Sequence, residues 1–158
     1  MAPFHDASSA TMTTIQRTLA QDHRQCDAQF AAAEEAVADG AWGTARNAFV
    51  AFRAAVEHHF AMEEGVLFPE FEARSGSAQG PTQVMRTEHV HLRELLARMA
   101  AALDAGDTEG YLGASETLLM FMQQHNLKEE QMLYPMCDQV LGPEAAGLIA
   151  RMQAVGAG

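Results

Sequence analysis

The sequence predicts an all-α protein, an antiparallel up-down four-helix bundle followed by a short fifth helix at the C-terminus. Three observations carry that prediction. No segment alternates apolar and polar residues in the manner of a half-buried strand. Glycine and proline punctuate the chain so as to leave four long uninterrupted stretches. A pattern of His, Glu, Leu and Pro is also written twice, at a fixed offset of 66 residues. At 158 residues the chain suits one domain, 1–158, with a core large enough to need neither disulfide nor metal as a staple.

The elements follow in order. Thr13 or Thr14 supplies a capping hydroxyl for a first helix that runs to Asp39, with Gly40 as its stop. A second helix begins near Trp42 and runs to about Ala73. Residues 74–80, Arg-Ser-Gly-Ser-Ala-Gln-Gly, form the clearest loop. Pro81 suits the first turn of a third helix, because its missing N–H is not needed there; that helix ends near Ala105 and Gly106. Asp107 or Thr108 caps a fourth, which reaches about Val140, and Gly142-Pro143 starts the short fifth. Pro69 and Pro135 each remove a backbone donor near the end of a long helix and are expected to kink or end it.

Composition excludes several function classes. A net charge of −11, from 10 basic and 21 acidic residues, disfavours a nucleic-acid or anionic membrane surface. No apolar run approaches the roughly 18 residues that span a bilayer. The N-terminal MAPFHDASSATMTT lacks the basic start and apolar stretch of a secretory leader. Two cysteines, Cys26 and Cys137, are too few for a disulfide framework, and the expected location is the cytoplasm.

The repeat selects the chemistry. Under the 66-residue shift His23 becomes His89, His59 becomes His125, Glu63 becomes Glu129, Glu64 becomes Glu130, Leu67 becomes Leu133 and Pro69 becomes Pro135. Asp22 becomes Glu88, and the turn at Asp39-Gly40 becomes Ala105-Gly106. The chain therefore reads as two helical hairpins, roughly 9–74 and 75–140, related by duplication. His58, His91 and His5 have no histidine partner under the shift and are read as rim or solvated residues. A repeated core accounts for repeated Leu but not for repeated His with Glu four residues on, since buried imidazole and carboxylate are costly unless paired or bound to metal. Residues four apart share a helix face, so His59 with Glu63, and His125 with Glu129, can serve one centre. Four imidazoles and two carboxylates exceed a tetrahedral structural zinc and suit two metals with Glu63 and Glu129 as bridges. Nitrogen and oxygen donors without thiolate favour iron, manganese or zinc.

Glu64 and Glu130 leave two readings open: carboxylates that orient imidazoles or carry protons, and solvent-facing groups paired with basic neighbours. Met62, Met85, Met120 and Met122 read as core filler. Cys26 reads as a small core residue, and Tyr134, which maps to Phe68, reads as packing.

These motifs, DHRQCD (22–27), HFAMEEGVLFP (59–69), EHVHLREL (88–95) and HNLKEEQMLYP (125–135), resemble the hemerythrin-like HHE cation-binding proteins over nearly the whole chain. The resemblance implies a four-helix bundle around two iron ions with an oxo or hydroxo bridge, zinc or manganese being possible substitutes. It implies His23 and His59 on one iron, His89 and His125 on the other, and Glu63 and Glu129 across both. The oxygen carriers of the family use a fifth His on the third helix; here Arg93 stands four residues after His89 and Met85 four before it. The pattern is more symmetric than theirs and closer to family members implicated in nitric-oxide stress and iron–sulfur centre repair. Those usually carry an N-terminal domain with a cysteine pair, which has no counterpart here. Three functions fit: binding or sensing of dioxygen, nitric oxide or iron; di-iron redox enzymology in nitric-oxide or oxidative stress defence or iron–sulfur repair; and a bundle merely stapled by metal. The first is favoured, because no electron-delivery motif is visible and a bundle of this size needs no staple. With no extra His, both irons are expected to be open and the centre symmetric, which argues against reversible oxygen carriage.

Overall fold

The computed structural model describes residues 14–77 and 79–156, so His5 and the start of the first predicted hairpin lie outside the described residues. Those described are helical throughout, with no strand among them. Helix α1 spans Ile15–Ala38. Helix α2 spans Trp42–Met62, passes into a π-helical turn π1 at Glu63–Leu67, and resumes as α3 at Phe68–Ser75. Helix α4 is Pro81–Ala105, and α5 is Thr108–Lys128, followed by π2 at Glu129–Leu133 and α6 at Tyr134–Leu141. A 3₁₀ turn, Gly142–Glu144, leads into α7 at Ala145–Ala154.

Local chemistry explains the boundaries. The Thr14 hydroxyl accepts from the Arg17 N–H at 3.0 Å. The Asp138 carboxylate, from α6, accepts from the N–H groups of Ile15 at 2.8 Å and Gln16 at 3.0 Å, placing negative charge at the positive end of α1. Helix α1 ends in a paired motif in which Gly40 N–H reaches Val37 O and Ala41 N–H reaches Ala36 O. The same pair recurs at α4, from Gly106 to Leu103 O and from Asp107 to Ala102 O. Both glycines sit at positive φ, 71° and 65°, which side chains with a Cβ resist. Asp107 then caps α5 by accepting from Gly110 N–H at 2.9 Å.

Pro69 and Pro135 neither end nor break their helices. A proline has no N–H to give and its ring crowds the carbonyl four residues back. The turn before each proline widens instead to i→i+5 hydrogen bonding, with Phe68 N–H donating to Glu63 O and Tyr134 N–H to Glu129 O. The helices then continue to Ser75 and Leu141.

Helix α1 packs along α2 and α4 along α5, while α1 also meets α5 and α6, and α2 meets α4. Two apolar clusters form. One gathers Phe30, Phe49, Phe52, Val56, Leu96, Met99, Tyr111 and Leu118. The other gathers Ile15, Leu19, Leu67, Phe68, Met85, Leu133, Tyr134 and Leu148. Along each long helix one histidine lies between the two: His23 between Leu19 and Phe30, His89 between Met85 and Leu96. A polar layer is thereby walled off from water on both sides.

Candidate metal centre

The helices α1, α2, α4 and α5 each send one imidazole into that layer, from His23, His59, His89 and His125. Glu63 and Glu129 enter it as the first residues of π1 and π2. All six are buried, with exposures of 0–4 %. Each carboxylate reaches both histidine pairs. Glu63 places Oε2 3.5 Å from His59 Nε2 and Oε1 3.1 Å from His89 Nε2. Glu129 places Oε1 3.1 Å from His23 Nε2 and Oε2 3.3 Å from His125 Nε2. The donors thus divide into two groups that could each hold a cation: His89 and His125 with Glu63 and Glu129, and His23 and His59 with Glu129.

A carboxylate holds the outer nitrogen of every imidazole. Asp22 accepts from His59 Nδ1 at 2.7 Å, Glu88 from His125 at 2.8 Å, Glu130 from His23 at 2.8 Å and Glu64 from His89 at 2.6 Å. With Nδ1–H committed outward, each Nε2 presents a lone pair to the centre, the arrangement of carboxylate–histidine–metal sites. His23 Nε2 and His59 Nε2 face each other at 3.0 Å, and two lone pairs at that distance need a cation, proton or metal, between them.

The titration behaviour records the same demand. Burial alone would depress the His125 imidazole, but the Glu129 charge beside it carries it up to about 9. His59 is raised for the same reasons, through Glu63 and Asp22 against its own burial. Burial would raise Glu129, yet the imidazoles of His125 and His23 hold it well below the usual carboxylate range. The carboxylates therefore trap protons where cations belong. Among the outer groups, burial would raise Asp22, Glu64 and Glu88. Hydrogen bonds from His59, from Arg93 and His89, and from Lys128 and His125 hold all three low.

Metal ions fit this donor set. In the His89/His125 group, Glu63 Oε1, His89 Nε2, His125 Nε2 and Glu129 Oε2 are buried without a hydrogen-bond partner; their close approaches lack hydrogen-bonding geometry. Each such atom costs about 1–3 kcal/mol unless something satisfies it. One cation would satisfy all four. Phe60 stacks on His89 at a centroid distance of 3.8 Å, with Phe68 beyond it at 5.9 Å, fixing the ring plane. No thiolate competes, because burial pushes the Cys26 thiol up to about 11 and Cys137 higher still.

All six residues that the sequence nominates come together. Glu64 and Glu130 each hold an imidazole, and Glu64 also pairs with Arg93. Arg93 points away from the centre, to Glu57 and Glu64, with its guanidinium 5.0 Å over the Phe60 ring. His58 and His91 belong to neither cation group. Met85 and Met62 are core, whereas Met120 is exposed.

Sequence reasoning missed three residues. Asp22 and Glu88 had a signal, since the repeat pairs them one residue before a ligating histidine. Tyr134 is not mere packing. Its hydroxyl lies 2.6 Å from Glu63 Oε2, 2.9 Å from Glu129 Oε1, 3.1 Å from His59 Nε2 and 3.2 Å from His23 Nε2. Its proton is held tightly, for burial and the two carboxylates raise the phenol well above its ordinary value.

No helix among the described residues is long and apolar enough to cross a membrane. Comparison with curated proteins and with solved structures gives no match. Residues 14–137 match the family model of the hemerythrin HHE cation binding domain, and the chain belongs to that family.

Proposed function

We propose that the chain is an up-down antiparallel bundle of two duplicated hairpins that holds two iron ions and uses them to bind or sense a small diatomic ligand, dioxygen or nitric oxide. One observation carries the dinuclear reading: Glu129 places one oxygen in each histidine pair and belongs to both cation groups, and Glu63 lies 3.1 Å from His89 and 3.5 Å from His59. His23 and His59 would hold one ion, His89 and His125 the other, with Glu63 and Glu129 across both. Further support comes from the element boundaries, since α2, π1 and α3 recur at α5, π2 and α6 with every limit 66 residues on. When bound, a ferrous pair supplies electrons and an open position for a small ligand.

The chain's own groups prepare that chemistry. Asp22, Glu64, Glu88 and Glu130 fix each imidazole's tautomer and tilt, and raise its basicity toward metal. The two apolar clusters exclude water, which strengthens every charge interaction inside.

The test is metal analysis of protein reconstituted with iron. Two ions per chain are expected, and a value that stays at or below one would refute the dinuclear reading. Glu63→Ala and Glu129→Ala should lose metal far more than Glu64→Ala or Glu130→Ala, while His58→Ala should leave the content unchanged.

A further inference from the structure

The two halves of the centre repeat the same pair of histidines, and one difference between them is a hydroxyl. Tyr134 opens α6 just after π2, and its counterpart under the 66-residue shift is Phe68, which opens α3 just after π1. The Tyr134 hydroxyl touches donors of the His23/His59 half only. The corresponding position beside His89 is a phenyl ring without an oxygen, and there the four inward-facing atoms lack partners.

The spacing around the hydroxyl has a specific form. An octahedral ion with donors at about 2.1 Å keeps adjacent donors about 3 Å apart. Tyr134 Oη stands 2.6, 2.9, 3.1 and 3.2 Å from Glu63 Oε2, Glu129 Oε1, His59 Nε2 and His23 Nε2. It is thus adjacent to all four. Among those four, His23 Nε2 lies 3.0 Å from His59 Nε2 and 3.1 Å from Glu129 Oε1, while His59 Nε2 lies 3.9 Å from Glu129 Oε1, as donors on opposite sides do.

We propose that Tyr134 is a seventh protein ligand, a tyrosinate on the His23/His59 ion alone, so that the pair is asymmetric with its free position on the His89/His125 ion. This rests on the dinuclear iron reading above and deepens it. On metal entry the O–H bond breaks, the oxygen keeps the electron pair and binds the ion, and the proton leaves to water, as protons leave other ligands on metallation. Nothing is oxidised or reduced. On this reading the asymmetry comes from a phenol on the second hairpin rather than from a fifth histidine, in place of the symmetric, doubly open centre expected from the histidine pattern.

Ferric tyrosinate gives a visible ligand-to-metal charge-transfer band with resonance-enhanced ring vibrations, and the chain has only two tyrosines, Tyr111 and Tyr134. The experiment compares iron-reconstituted, air-oxidised wild type with Tyr134→Phe, Tyr111→Phe and the swap Tyr134→Phe/Phe68→Tyr, measuring iron content alongside optical and resonance Raman spectra. The band is expected in wild type and Tyr111→Phe, lost in Tyr134→Phe with its iron retained, and restored in the swap. A wild type that carries iron without the band, or a band that survives Tyr134→Phe, overturns the assignment. Iron content judges the dinuclear reading separately, because a single bound ion would still report through the band whether Tyr134 holds it.

Discussion

Metal-free protein should lose stability as pH rises from about 6.5 toward 9, an interval in which ordinary carboxylates are fully ionised and contribute no slope. The cause is the proton that His125 keeps in the folded state up to about 9, against an ordinary value of 6.5. A folded-state value above the unfolded one means the native chain binds more protons. The stabilisation is then complete below about 6.5 and disappears as pH climbs through the folded value. At about 1.4 kcal/mol per tenfold, the gap is worth at most about 3.5 kcal/mol, and His59 acts in the same direction. With a urea slope of about 1–3 kcal/mol/M, the unfolding midpoint should fall by about 1 M or more across that interval. Measurements stop at pH 9, because the raised thiols of Cys26 and Cys137 add a loss of the same sign beyond it. Glu129→Gln should flatten the dependence, since the Glu129 charge is the chief group raising His125. Metal-loaded protein should show the opposite slope, as the ion competes with protons for the same Nε2 atoms. A midpoint in the metal-free protein that is flat or rises between pH 6.5 and 9 would refute the argument that the carboxylates hold protons on these imidazoles.

Two further outcomes follow from the same geometry. Asp22→Asn, Glu64→Gln, Glu88→Gln and Glu130→Gln should each weaken metal binding by about 10–100-fold without lowering the number of ions at saturation, measured by chelator competition, because each releases one imidazole rather than removing a donor. Arg93→His should weaken binding by freeing Glu64 and should add no ligand, since the Arg93 side chain leads to Glu57 and Glu64; a gain in affinity or a new histidine signal would contradict this.

The helical bundle and the gathering of its six central His and Glu side chains were legible in the sequence because both are written in the spacings of an ordinary α-helix. Gly40 and Gly106 stop helices by the same paired hydrogen bonds, Asp107 caps the next helix, and His59 with Glu63 needs only the i,i+4 rule. The outer carboxylates were half legible. Glu130 crosses from the second hairpin to His23 and Glu64 from the first to His89, whereas Asp22 and Glu88 stay within their own hairpins. Which acid meets which imidazole is decided by helix packing, and no local pattern encodes it.

Tyr134 was illegible for a sharper reason. In an α-helix a residue five positions after Glu129 lies about 140° round the axis and points elsewhere. The turn at Glu129–Leu133 is π-helical, with hydrogen bonds spanning five residues, so residue 134 returns to the face of residue 129. Tyr134 Oη accordingly comes within 2.9 Å of the Glu129 carboxylate on its own chain segment. The widening is tied to Pro135, whose ring and missing N–H disturb the α-helical ladder at that point. The proline that sequence reasoning expected to kink or end the helix is thus part of what aims the tyrosine.

The same turn in the first hairpin aims Phe68 with equal care and delivers no oxygen. Duplication alone would make two equal half-sites, and the four outer carboxylates keep to that symmetry. A single oxygen, present at 134 and missing at 68, breaks it. On the proposed reading, tyrosinate would complete the shell of the ion held by His23 and His59, and a small ligand would have one address, beside His89 and His125. Moving the hydroxyl from 134 to 68 should move that address to the opposite half, leaving fold, donor count and net charge as they are.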